Sequence, residues 1–67
     1  MILFINNTSE VIQASSLTIT ELAGMKHIKP QGTAIALNGK LIPRDKWEVT
    51  ELADNDRLTI ISAAYGG

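Results

Sequence analysis

Arg57-Leu58-Thr59-Ile60-Ile61-Ser62-Ala63-Ala64-Tyr65-Gly66-Gly67 is the stretch on which the reading of this chain turns. Its first half is rich in β-formers and reads as a strand, with Leu58 and Ile60 on one side and Ile61 on the other. Its last two residues are glycines, which have no Cβ and tolerate almost any backbone angle. Ala63 to Gly67 therefore reads as a thin, flexible tail that can thread where bulkier residues would clash. Composition alone would place Gly-Gly at an end in about one chain in 200. The meaning of the tail thus depends on the body that carries it.

Working backward from the strand, Asp54-Asn55-Asp56 reads as a tight turn, since Asn tolerates the left-handed region. Further upstream, Thr33 to Asn38 alternates small and large side chains, as a strand does. Asn38-Gly39 is the strongest short hairpin signal, and Lys40-Leu41-Ile42 reads as the return strand. Pro43 lacks an amide proton and should end that pairing. Arg44 to Glu48 reads as a short irregular or helical turn. Within it, Arg44 is expected to pair with Asp45 or Glu48 or to bond turn carbonyls. Trp47, the only Trp, is expected to pack its ring at the edge of the domain.

A helix is predicted to begin at Thr18, three residues before Glu21, in the capping-box pattern. Leu17 and Leu22 stand where a hydrophobic staple would put them. Ile19, Leu22, Met25 and Ile28 repeat at about helical spacing, with Gly24 weakening the helix by roughly 1 kcal/mol relative to Ala. Lys26, His27 and Lys29 gather toward its C-terminal end, where positive charge is favoured. His27 reads as a solvated helix-end residue. Pro30-Gln31-Gly32 is expected to stop the helix. At the other end of the chain, Ile2 to Ile5 is an apolar run of β-formers. Asn6-Asn7-Thr8-Ser9 reads as a turn, and Glu10 to Ala14 as the returning strand.

Sixty-seven residues make one domain, expected to bury only about 60% of its unfolded surface. The hydrophobic share of 45% supports a real core. The absence of Cys excludes disulfides, iron–sulfur clusters, Cys-ligated zinc and a thiol nucleophile. A single His makes an imidazole metal site unexpected. Six basic against 7 acidic residues leave a net charge of −1 with no basic stripe, which disfavours nucleic acid as a partner. No apolar run approaches the ~20 residues that span a bilayer. Met1 to Ile5 lacks the basic flank of a signal peptide. A cytoplasmic protein is the expectation.

The order is strand, strand, helix, two short strands, strand. First and last strands would lie side by side and parallel at the centre of a mixed sheet of four or five strands, with the helix on one face. That is an α+β arrangement, the ubiquitin-like β-grasp roll, occupying residues 1–67 as one domain with a flexible tail at 63–67.

The stretch Ala34 to Trp47 resembles the sulfur-carrier proteins of thiamine biosynthesis, the ThiS family. The shared features are an alternating strand ending in Asn, an aliphatic-Pro-Arg at Ile42-Pro43-Arg44, and Trp47 three residues after the Arg. Leu52 to Leu58 resembles the family's turn and Gly66-Gly67 its tail, so the likeness covers nearly the whole chain. Asn55 stands where the family usually has Gly, and Tyr65 where smaller residues are common.

The resemblance implies a protein that is not an enzyme and holds no cofactor or metal of its own. It implies that the Gly67 carboxylate is joined to AMP, from ATP, by an adenylyltransferase related to ubiquitin-activating enzymes. A persulfide supplied through a cysteine desulfurase then leaves a Gly67 thiocarboxylate, whose sulfur goes to thiazole synthase. Gly66, Tyr65 and Ala64 would thread the partner's active site. Ile61 and Ala63, in phase with Tyr65 along the strand, are the candidates for partner contact. Two related readings stay open: the small subunit of molybdopterin synthase, with the same terminal chemistry, and a ubiquitin-like modifier that forms amides with target lysines. A plain β-grasp binding module is a third, which the Gly-Gly end argues against.

Overall fold

The computed structural model describes residues 1–62. Strands β1 (Ile2–Ile5) and β2 (Thr8–Val11) form an antiparallel hairpin. Asn6 and Asn7 join them with φ of 50° and 69°. Two successive positive φ values are what a two-residue hairpin turn requires, and Asn tolerates them. The turn is therefore tighter than the sequence reading. Thr8 and Ser9 lie in the strand, which ends at Val11 rather than Ala14.

The short strand β3 (Leu17–Thr18) leads into helix α1 (Ile19–Met25). The capping box forms as predicted: the Glu21 N–H donates to Thr18 Oγ1 at 3.1 Å, and the Thr18 N–H donates to Glu21 Oε1 at 2.8 Å. The helix stops at Met25, well before Pro30, which corrects the expected end. The stop is made by His27, whose φ of 57° is left-handed. Ile28 N–H donates to Ala23 O at 2.9 Å and His27 N–H to Gly24 O at 3.2 Å. That pair of bonds is a Schellman cap. His27 is thus a structural terminator, in a place usually given to Gly. Met25 is consequently 54% exposed, while Ala23 is buried and Ile28 packs on the core from beyond the cap.

Strands β4 (Thr33–Leu37) and β5 (Lys40–Ile42) pair across Asn38-Gly39, whose φ values are 50° and 85°. A 3₁₀ turn (Arg44–Lys46) follows Pro43. Trp47 corrects a second expectation. It is 3% exposed and belongs to the core, with its indole Nε1–H donating to Ile42 O at 3.0 Å. Burial of the ring is tolerable because this one polar atom is satisfied. Arg44 pairs with neither Asp45 nor Glu48; among the described residues the ion pair is Lys26–Glu10, at 2.7 Å. Strand β6 (Glu51–Leu52) pairs antiparallel with β3, a two-stranded ladder absent from the sequence reading.

The last strand, β7 (Arg57–Ser62), completes a five-stranded sheet in the order β2-β1-β7-β4-β5. β7 runs parallel to β1 and antiparallel to β4, so the first and last strands are central neighbours as predicted. Leu3, Ile5, Ile35 and Leu58 point to one face and meet Ile19 and Leu22 of α1 in the core. Each such side chain, fully buried, contributes about 1.5–3 kcal/mol. This is the β-grasp fold: one mixed sheet, with a helix on one face. No helix among the described residues is long and apolar enough to cross a membrane.

Candidate functional site

Strand alternation sends every second side chain to the face that α1 does not cover. The strand registers give its occupants. Ile2 stands opposite Val11, and Phe4 opposite Ser9. Arg57 lies beside Phe4 across the parallel seam. Ala36 is flanked by Thr59 and Leu41, and Ala34 by Ile61. Ile61 is 58% exposed, Leu41 62% and Val11 69%. The two alanines of β4 leave a shallow floor between larger neighbours. An exposed sheet face with this many apolar side chains is a candidate docking surface.

Side chains from turns hold β7 in place at the centre of the sheet. β1 ends at Ile5, yet the Asn6 side chain continues the ladder. Its Oδ1 accepts from Ile60 N–H at 2.8 Å and its Nδ2 donates to Ile60 O at 3.3 Å. Asn38 does the same at the start of the strand. Its Oδ1 accepts from Arg57 N–H at 2.9 Å, and its Nδ2 donates to Asp56 Oδ1 at 3.1 Å. The Asp54–Asp56 turn is bonded to β1 as well: Ile2 N–H donates to Asp54 Oδ1 and Asn55 N–H to Ile2 O, both at 2.6 Å. Asn55 takes φ 71°, the left-handed angle that the sequence required of it.

Two shallow cavities flank β7. One, about 290 Å³, lies where Phe4 and Arg57 meet the two Asn turns at Asn7 and Asn38. The other, about 320 Å³, lies between Ile28 and Ile60 at the opposite end of the strand. The Arg57 guanidinium sits 5.2 Å from the centre of the Phe4 ring, within cation–π range. Among the described residues no group of His, Asp and Glu could hold a metal ion.

Of the residues singled out from sequence, Ile61 lies on the uncovered face, pointing away from the helix. Ala63, Ala64, Tyr65, Gly66 and Gly67 lie outside the described residues. The Phe4–Arg57 pair was missed. Its signal was present: once the first and last strands are placed parallel and adjacent, alternation puts both side chains outside.

The crystal structure of a thiamine biosynthesis protein (ThiS) from Geobacter metallireducens superposes with a TM-score of 0.85 at 28% identity, covering 100% of both chains. An NMR solution structure of a thiamine biosynthesis protein from the same organism gives 0.78 at 28% identity, covering 91% of this chain and 81% of that one. None of the curated proteins matches the chain. The sequence model of the ThiS family matches residues 2–67, from the first residue of β1 through Gly66 and Gly67. The chain belongs to the ThiS family.

Proposed function

We propose that this protein is a sulfur carrier of thiazole formation in thiamine biosynthesis, acting in the cytoplasm, with the Gly67 carboxylate as its working group. The observation that carries the reading is the ThiS family match, which runs without a break into Gly66-Gly67. The Cys-free composition agrees, because it leaves no thiol on which the chain itself could hold sulfur as a persulfide.

A carboxylate is a poor electrophile: it is anionic, and its leaving group would be oxide. A partner adenylyltransferase joins Gly67 to AMP, using ATP and releasing pyrophosphate, so that AMP becomes the leaving group. The terminal sulfur of a persulfide, charged by a cysteine desulfurase, then displaces AMP. A thiol cleaves the resulting acyl persulfide at its S–S bond, becoming oxidised to a disulfide and leaving a Gly67 thiocarboxylate. Thiazole synthase takes that sulfur. The carrier itself catalyses nothing. Ala64, Tyr65 and Gly66 thread the partner's active site, while Ile61 and Ala63 contact its surface. Support for the contact role comes from the exposure of Ile61 on the helix-free face, directly upstream of the tail.

The test is the intact mass of the protein after incubation with ATP, the adenylyltransferase and the persulfide source. The expected result is the mass gain of one oxygen exchanged for one sulfur, lost when Gly67 is deleted and discharged by thiazole synthase. An unchanged mass beside an active enzyme control overturns the proposal.

A further inference from the structure

Among the described residues, the helix-free face carries ten strand side chains, and one of them is charged. Ile2, Phe4, Val11, Leu41 and Ile61 are apolar, two more are alanines, and Ser9 and Thr59 are neutral. Arg57 is the exception. Its guanidinium lies over the Phe4 ring, and no carboxylate among the described residues pairs with it. Stacking restricts the long side chain before any partner arrives, so less freedom is lost on docking. Beside it lies the cavity of about 290 Å³, bordered by Asn7 and Thr59, whose side chains make no hydrogen bond among the described residues.

We propose that Arg57 is the polar anchor of this face and that the cavity receives one acidic side chain, Asp or Glu, standing in an otherwise apolar surface of the adenylylating partner. The inference rests on the proposed carrier role and adds to it the chemistry of the partner's surface. An apolar face with a single unpaired cation selects its partner by charge as well as by shape. A neutral apolar surface would leave the guanidinium desolvated and unpaired, and a basic one would repel it. Arg is also among the residue types that dominate interface energetics when clustered with aromatic and apolar neighbours. Asn7 and Thr59 supply further hydrogen bonds to the incoming carboxylate. Arg57 and Ile61 are four residues apart, about 13 Å along the strand. Together they fix both position and rotation of the carrier, with the tail leaving from the Ile61 end. Arg57 is assigned to docking and not to the reacting atoms, so it is a positioning residue.

Binding of the carrier to the adenylyltransferase is measured by calorimetric titration, beside the rate of ATP-dependent adenylation as carrier concentration is varied. Arg57→Glu should raise both the Kd and the half-saturating concentration roughly tenfold to a hundredfold, with the maximal rate kept. Arg57→Lys should lose less, and added salt should weaken the wild type more than Arg57→Gln. Arg57→Gln removes the charge while keeping a polar, unbranched side chain, so it serves if the Glu variant unfolds. Wild-type Kd in both Arg57→Glu and Arg57→Gln overturns the anchor. So does a reduced maximal rate at unchanged half-saturation. A wild type that binds but is never adenylated overturns the carrier chemistry while the titration still reads Arg57. A wild type that does not bind overturns both.

Discussion

Leu58 and Ile61 lie three residues apart on one strand and live in different media. Leu58 is 1% exposed under α1, and Ile61 is 58% exposed on the other side of the same sheet. The covered face holds the residues whose burial drives folding, among them Leu3, Ile35 and Leu58 against Ile19 and Leu22. The uncovered face has comparable apolar character and contributes little of it to the fold. In a domain this small, apolar area withheld from the core is a large sacrifice of stability. The difference teaches that one face of the sheet determines whether the protein exists as a folded body, and the other is left open to solvent, where the proposed contact would form.

The contrast breaks most sharply at Leu58. Leu58→Ala should cost about 2–5 kcal/mol, because it removes a buried side chain and leaves a cavity between sheet and helix. Urea unfolding followed by Trp47 fluorescence measures it; a loss under about 1 kcal/mol would mean that the covered face is not the core described above. Next in size is the cover itself. Thr18→Ala removes the hydroxyl that accepts from Glu21 N–H, and should cost about 1 kcal/mol in the same assay. An unchanged midpoint would show the helix held by packing alone. Smallest in stability is Ile61→Asp, expected to shift unfolding by less than about 1 kcal/mol while sharply slowing ATP-dependent conversion of Gly67. Normal conversion in a folded Ile61→Asp protein would remove Ile61 from the contact face.

Local chemistry was readable, and so was the central parallel pairing of the first and last strands; finer long-range geometry was not. Thr18 and Glu21 lie within one turn of each other, and Asn38-Gly39 is a self-contained instruction; both formed as read. Asn55 likewise took its left-handed angle. The helix end was misplaced because its terminator is His27, where such a cap usually has Gly. Pro30 looked like the stronger signal and is merely downstream. Met25 fits the helical repeat, but the cap ends the helix beneath it, and the smaller Ala23 takes the buried place. The β3–β6 ladder joins two-residue strands far apart in sequence, with no periodicity to betray either. Trp47 was expected at an edge because nothing nearby in sequence signals that the carbonyl of Ile42 would satisfy its indole. For the candidate site, Ile61 followed from alternation along one strand. Arg57 required, beyond the predicted pairing of the first and last strands, the register that sets it beside Phe4.

The position of β7 also governs how the chain is born. Before β7 is made, the sheet is two separate hairpins, β1–β2 and β4–β5, with no hydrogen-bonded seam between them. Isolated hairpins are marginal in water. The seam to β1 joins Phe4 to Arg57 and Ile5 to Leu58, contacts that span most of the chain. Such closures are slow to form and cannot be anticipated by local structure. During synthesis, therefore, the body gains its order only as the strand that leads into the Gly-Gly segment is added. A product that ended before β7 would lack the strand that joins the two hairpins into one sheet.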